Sequence, residues 1–325
     1  MSKAIRIHST GGPEVLQWDD VEVAAPGAGE ALVRHSAVGL NFIDCYHRSG
    51  LYPLPPLPLS IGLEGAGVVE AVGEGVSAVS VGDRVAYAAP PPGAYAEARV
   101  MPADRLVVVP EGIDDQQAAA MMLKGMTAEY LLRRTYPVRS GDTILFHAAA
   151  GGVGLIACQW AKHIGATVIG TVGSEDKAEL ARAHGCDHTI NYRTENFVER
   201  VKEITSGAGV PVVYDSVGKD TFEGSLDCLG TRGVLALFGQ SSGSVATFDP
   251  GLLAAKGSLY LTRPSLMNYN ATREDLVESA NALFEVVGSG AVKIEINQTY
   301  PLSETAQAHR DLEARKTTGS TVLLP

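Results

Sequence analysis

Cysteine is scarce in this 325-residue chain, and the four present (Cys45, Cys158, Cys186 and Cys228) stand singly. Scattered in this way, they indicate neither a disulfide framework nor a cysteine-ligated zinc cluster. Long hydrophobic runs are missing too. No segment approaches the roughly 20 apolar residues of a membrane span. The opening Met1-Ser-Lys-Ala-Ile-Arg-Ile-His has no apolar stretch suited to a signal sequence, so a cytosolic protein is expected. Positive charge is in deficit: 26 Lys and Arg against 37 Asp and Glu leave a net charge of −11. That balance argues against nucleic acid or an anionic membrane as partner. What remains, 45% hydrophobic and 19% charged residues, is ordinary globular composition. The length exceeds the usual limit of one hydrophobic core, so two domains are expected.

Residues 1–120 read as mostly β. Short β-branched runs at Ala4–Ile7, Ala31–Ala37, Gly67–Val72 and Arg84–Ala88 are separated by glycine and proline clusters, the pattern of a small barrel or distorted sheet. Phe42–Arg48 looks like one or two helical turns, and the proline-rich Tyr52–Pro58 stretch an ordered loop. From Gln116 to Arg134 the apolar spacing is helical, with Gly125 expected to weaken the middle and divide it in two. Residues 142–262 then alternate strand and helix: strands at Thr143–His147, Thr167–Val172, His188–Asn191, Pro211–Asp215, Val234–Phe238 and Ser258–Thr262. The segments between them are helical, which implies a parallel sheet with helices on both faces. Beyond Pro264 a helix at Arg273–Val287, a strand at Val292–Ile296, a helix capped by Ser303 and a strand at Ser320–Leu324 are expected. One βαβ domain is complete before this tail, so the tail is expected to rejoin the first domain. The expected partition is 1–120, 121–264 and 265–325.

Chemistry concentrates where the strand Thr143–Phe146 enters Ala148-Ala149-Ala150-Gly151-Gly152-Val153-Gly154 and a helix follows. Strand, glycine turn, helix, strand is the dinucleotide-binding unit. Its three fingerprint positions are Ala149, Gly151 and Gly154. Gly151 lets the backbone approach a pyrophosphate at the helix N-terminus, and Gly154 permits close helix–strand packing. Ala149 departs from the glycine pattern and is tolerable with ordinary backbone angles. The second strand ends in Gly173-Ser174, followed by Glu175, Asp176 and Lys177. A small residue there leaves room for a ribose 2′-phosphate, with Ser174 as donor and Lys177 as counter-charge, favouring NADPH. Ser174 capping the next helix, with Lys177 on a solvated face, is the plainer alternative. Glu175 as a displaced ribose acid is another.

Several motifs taken together resemble a known family. Asn41-Phe-Ile-Asp44, Gly62-Leu-Glu64-Gly65-Ala-Gly67, Val81-Gly82-Asp83-Arg84-Val85 and the glycine turn look like the medium-chain dehydrogenase/reductase superfamily. Arg48-Ser-Gly-Leu-Tyr52, Leu123-Lys-Gly-Met-Thr127, Phe146–Ala157 and Gly257–Pro264 are similar to its zinc-free branch, the NADPH:quinone oxidoreductases related to zeta-crystallin. The resemblance spans the chain. It implies an α/β fold: a GroES-like β-rich catalytic domain, a Rossmann doubly wound parallel sheet that binds NADPH, and a C-terminal return. It also implies a homodimer through Rossmann edge strands, here near Ser258–Thr262. Zinc relatives carry a catalytic Cys where this chain has Asn41 and a His where it has Leu63. An amide is a poor zinc ligand and leucine none, so no metal is expected. Cys45 and His47, close in sequence, read as one buried thiol and one surface imidazole.

Without metal, the acceptor must need little electrophilic help. A quinone fits, since hydride addition yields an aromatic hydroquinone and positioning against nicotinamide C4 supplies most of the catalysis. The resemblance implies a cleft between the domains containing Asn41, Tyr46, Tyr52, Lys124, Thr127 and Arg263. Asn41 and the tyrosines would hydrogen-bond a carbonyl oxygen, and Lys124 or Arg263 would stabilise oxyanion charge. No essential general acid is assigned. To the contacts read from the residues themselves, Gly151, Gly154, Gly173, Ser174 and Lys177, the resemblance adds Asn41, Gly152, Val153, Tyr192, Ser216, Val217, Phe238, Gly239, Gln240, Ser241, Arg263, Pro264, Ser265 and Arg315 as cofactor contacts. Three rivals stand beside quinone reduction: an enone or alkenal reductase on the same scaffold, a zinc alcohol dehydrogenase, and a nucleotide-binding protein without turnover.

Overall fold

The computed structural model describes residues 2–325. The chain opens with β1 (Ser2–Ile7), β2 (Leu16–Val21), β3 (Glu30–Leu40), α1 (Phe42–Ser49), β4 (Leu59–Ser60), β5 (Glu64–Val72), β6 (Arg84–Ala88), β7 (Ala98–Pro102) and β8 (Val107–Val108). The long helix α2 (Asp115–Tyr130) follows and ends in a wider turn at Leu131–Thr135. Next come β9 (Thr143–Phe146), α3 (Gly152–Ile164), β10 (Thr167–Val172), α4 (Glu175–Ala183), β11 (His188–Asn191), α5 (Phe197–Ile204), β12 (Val210–Asp215), α6 (Phe222–Asp227), β13 (Leu229–Leu237), α7 (Gly251–Ala255) and β14 (Tyr260–Thr262). The chain closes with α8 (Leu266–Tyr269), α9 (Arg273–Gly288), β15 (Ile296–Pro301), α10 (Thr305–Glu313) and β16 (Ser320–Leu324).

Two compact units result. The first comprises residues through Met126, Asn270–Gly288 and Ile294–Pro325; the second comprises Thr127–Tyr269 and Ser289–Lys293. The joins fall inside α2 and after α8, a few residues beyond the boundaries expected from the sequence at 120/121 and 264/265. In the first unit, β2-β1-β4 form a small sheet, and β15-β16-β3-β5-β6-β8 form a larger one, with β7 paired to β3. Burial along β3 alternates as far as Ser36, shifts register between His35 and Ala37 and is continuous from there, so that Ala31 and Val33 as well as Val38 and Leu40 lie in a core with Ile5, Ile7, Tyr87, Tyr95, Leu302 and Leu323. In the second unit all six strands are parallel, in the order β11-β10-β9-β12-β13-β14. Their near-continuous apolar runs are the mark of strands covered on both faces. Leu145, Ile169, Val213 and Leu235 form the centre of that core.

Three expectations are corrected. Gly125 does not divide α2, which runs unbroken through it. A Cβ there would come within 2.4 Å of the buried Leu283 side chain, so the glycine makes room for α9. The strand expected at Val292–Ile296 instead begins at Ile296. The Gln159 side chain of α3 brackets Lys293, accepting its N–H at 3.0 Å and donating to its carbonyl at 3.0 Å, which holds that segment outside the sheet. Ser303 caps no helix: it lies within a short 3-10 turn, Leu302–Glu304, and Glu304 precedes α10.

Candidate functional site

In the first unit, Asn41 stands between β3 and α1. Its backbone N–H donates to Asp44 Oδ2 at 2.9 Å within a capping box, fixing the start of α1. Its side chain donates to Glu64 Oε2 at 2.8 Å, and that oxygen also accepts from Lys124 Nζ at 2.9 Å. The other Glu64 oxygen accepts the Leu123 N–H at 2.7 Å. Both charges are buried. Lys124 is therefore not a bare cation but half of a buried pair, whose carboxylate is held by two further hydrogen-bonding groups, the Asn41 amide and the Leu123 N–H. Glu64 lies opposite Gly39 in the β3–β5 register, and a Cβ on Gly39 would come within 2.2 Å of the Glu64 carboxylate. Glu64 is the functional residue that the expected cleft leaves out, and its place in Gly62-Leu-Glu64 is the one signal for it in the sequence.

Tyr46, buried on α1, packs its ring 5.1 Å from that of Tyr52, and the Tyr52 N–H donates to the Tyr46 carbonyl at 3.2 Å. Behind them runs a second polar chain. Tyr95 Oη donates to Asp44 Oδ2 at 2.8 Å and lies 3.0 Å from His309 Nε2. Arg48 Nη1 lies 2.9 Å from His309 Nδ1 and pairs with Glu313. Because a guanidinium only donates, Nδ1 is the bare nitrogen and Nε2 carries the proton toward Tyr95. Burial, reinforced by Arg48, pushes His309 down to about 3. Burial raises Asp44 to about 7 despite the donors on Oδ2 and nearby Lys124, and its Oδ1 has no partner. Cys45 Sγ faces His309 Nδ1 at 3.5 Å, and burial raises its thiol well above the ordinary range. Neither the amide of Asn41, donating to Glu64, nor this protonated thiol suits a metal. Among the described residues no group of three or more His, Cys, Asp or Glu side chains is placed to hold one. Arg315, in the same unit, is exposed with φ 58° just beyond α10.

In the second unit the glycine turn forms the N-terminus of α3. Gly151 is the extended N-cap, no side chain caps the helix, and Gly151 to Val153 are partly exposed. The first-turn N–H groups are thus available to a pyrophosphate. A Cβ on Gly154 would meet the carbonyl oxygens of Ala148 and Ala149 at 2.4 and 2.6 Å, so only glycine fits. The left-handed residue of the turn is Ala148, φ 55°, while Ala149 has ordinary angles. Ala149 is accommodated because Gly170 lies opposite: a Cβ there would come within 2.7 Å of the Ala149 methyl.

Ser174 caps α4, accepting the Lys177 N–H at 3.4 Å, which leaves its own O–H to donate. Glu175 pairs with Arg182 along the same helix at 2.6 Å. Tyr192, 40% exposed, lies over Gly173, where a Cβ would come within 2.5 Å of its hydroxyl. Ser216 and Val217 are tied to the loop after β13: the Ser241 N–H donates to the Ser216 carbonyl at 3.0 Å, and that of Ser242 to Val217 at 2.9 Å. Gly239 packs on Ser216, Gln240 lies in that loop, and half-buried Phe238 packs 5.7 Å from Phe146. Arg263 Nη1 donates to the Leu237 carbonyl at 2.9 Å, and Pro264 is buried while Ser265 is exposed at the start of α8. Thr127 is buried on α2.

Comparison with known proteins matches residues 27–111 to the alcohol dehydrogenase GroES-like domain and residues 152–285 to the zinc-binding dehydrogenase model. The chain is 58% identical to a quinone oxidoreductase of Pseudomonas aeruginosa over the full length of both. It is 49% identical to a 2-haloacrylate reductase of a Burkholderia species, covering 100% of this chain and 99% of the relative. The crystal structure of Escherichia coli quinone oxidoreductase complexed with NADPH superposes with a TM-score of 0.98 at 52% identity, covering 99% of this chain and 100% of that one. A β-rich GroES-like unit and a doubly wound parallel sheet define a medium-chain dehydrogenase/reductase. Within that class, the chain belongs to the quinone oxidoreductase family of oxidoreductases.

Proposed function

We propose that this protein uses NADPH to reduce quinones without a metal. The observation that carries the reading is the buried Lys124–Glu64–Asn41 cluster, with Asn41 standing where zinc relatives carry a catalytic Cys and Leu63, next to Glu64, where they carry a His. The open helix terminus at Gly151–Gly154, with Ser174 and Lys177 after β10, suits a pyrophosphate and a 2′-phosphate. Tyr192, the 216–217 and 238–241 turns, Arg263–Ser265 and Arg315 complete the proposed cofactor contacts. When bound, NADPH supplies the hydride. The acceptor takes that hydride and one proton to become hydroquinone. Asn41, Tyr46, Tyr52 and Thr127 orient the acceptor, while the Lys124 N–H groups not used by Glu64 stabilise charge developing on its oxygen.

A second reading, reduction of an activated carbon–carbon double bond, is favoured by the 49% identical relative named 2-haloacrylate reductase. Anaerobic oxidation of NADPH and NADH against benzoquinones and enones, with and without chelator, tests both. Faster turnover with quinones, preference for NADPH and indifference to chelator support the first reading; an enone preference selects the second. We further infer a cytosolic homodimer through β14, an edge strand whose Tyr260 is 61% exposed. Sedimentation of wild type and Thr262→Pro, which obstructs edge pairing, tests the interface.

A further inference from the structure

Beneath the sheet's carboxyl edge a line of buried polar side chains joins three strand ends. His147, directly after β9, has Nδ1 2.8 Å from Thr171 Oγ1 on β10 and Nε2 3.0 Å from Ser225 Oγ on α6. Ser225 Oγ donates to Asp215 Oδ2, at the end of β12, at 2.9 Å. Asp215 Oδ1 accepts the N–H groups of Val217 at 2.7 Å and Gly218 at 3.1 Å, and the Thr221 hydroxyl lies within 2.9 Å of both carboxylate oxygens. All four side chains of the line are at most 1% exposed.

The donor directions follow from chemistry. A carboxylate oxygen accepting from backbone N–H groups leaves Ser225 to give its hydrogen to Asp215, so Ser225 Oγ accepts from His147 Nε2–H. Nδ1 is then bare and takes the Thr171 hydroxyl hydrogen. Burial keeps the imidazole neutral, with Asp215 pulling the other way. The Ser–His–Asp composition is not a nucleophilic triad: Ser225 is fully buried and its hydrogen points to the aspartate rather than the imidazole.

Three members of the line stand just before loops assigned to the cofactor. His147 precedes the glycine turn, Thr171 lies two residues before Gly173, and Asp215 precedes Ser216. We propose that Thr171, His147, Ser225 and Asp215 form a positioning network that holds the pyrophosphate turn, the 173–177 segment and the 216–218 turn in register, so that they meet NADPH as one preorganised surface. The inference rests on the NADPH reading above. Preorganisation of this kind acts on affinity by removing loop-ordering costs at the moment of binding.

Calorimetric titration of the intact protein with NADPH tests it, using Ser225→Ala, Thr171→Val and their combination. Each single variant raises the NADPH Kd about tenfold. The double variant costs little more than either alone, because both act through opposite nitrogens of one ring. Thr171→Ser, which keeps the hydroxyl, restores wild-type affinity and guards against misfolding as the explanation. Variants that melt earlier yet bind NADPH as wild type does would overturn the network, as would fully additive losses. Wild-type protein that does not bind NADPH overturns the cofactor reading instead, and with it the network's purpose.

Discussion

At the scale of single residues, Glu64 decides how the cluster on the first unit works. Its carboxylate serves Asn41, Leu123 and Lys124 at once, from a fully buried position. Glu64→Gln leaves the Lys124 ammonium buried without its counter-charge, and loss of one partner of a buried pair costs roughly 3–5 kcal/mol. A large drop in the urea midpoint is therefore expected, and restoration by the double change Glu64→Gln with Lys124→Met separates charge burial from packing. An unchanged midpoint in the single variant would show the pair to be dispensable. Lys177 makes a different kind of contribution. Lys177→Ala should raise the Michaelis constant for NADPH about tenfold and leave that for NADH nearly unchanged, since only NADPH carries the 2′-phosphate. Equal effects on both would remove the phosphate role.

At the scale of elements, the turn between β9 and α3 depends on what lies across from it. Ala149 occupies a fingerprint position normally held by glycine, and Gly170 on β10 supplies the missing space. Gly170→Ala forces its methyl within 2.7 Å of Ala149 and 2.6 Å of Cys186 Sγ. Overpacking of this type costs about 1–3 kcal/mol. Pairing it with Ala149→Gly should recover part of the loss in thermal denaturation; additive losses would show that the two positions do not share that space. The same example shows what the sequence could and could not disclose. The parallel strands, the glycine turn and the Ser174 cap were legible because each depends on local spacing. The role of Gly125 is hidden because its neighbour Leu283 lies 158 residues on, and a glycine that makes room for a distant helix looks in sequence like one that breaks its own. Asn41 and Lys124 stood out by motif. Their common partner Glu64, and the Tyr95–His309 chain behind Asp44, arise from pairings 23 to 264 residues apart that no periodicity announces.

At the scale of the whole molecule, the buried titratable groups set opposing slopes on stability. Burial lowers His35 to about 4 and His309 to about 3, and lowers His147 as well. Between pH 4 and 6.5 the unfolded chain therefore binds protons that the folded chain does not, and stability rises with pH. Asp44 works the other way. Raised to about 7, it keeps a proton in the folded state that the unfolded chain has released, so across the same window it lowers stability as pH rises. Each uncompensated proton is worth about 1.4 kcal/mol per pH unit. The histidines outnumber Asp44, so urea midpoints should climb from pH 4 to about 6.5 and then level off. Asp44→Asn keeps an acceptor for the Asn41 N–H and the Tyr95 hydroxyl while removing the titration. The climb should then steepen, by about one proton's worth. A profile that is flat between pH 4 and 6.5 in wild type would mean that the buried imidazoles are not held neutral; a slope unchanged in Asp44→Asn would mean that this carboxyl is ionised throughout.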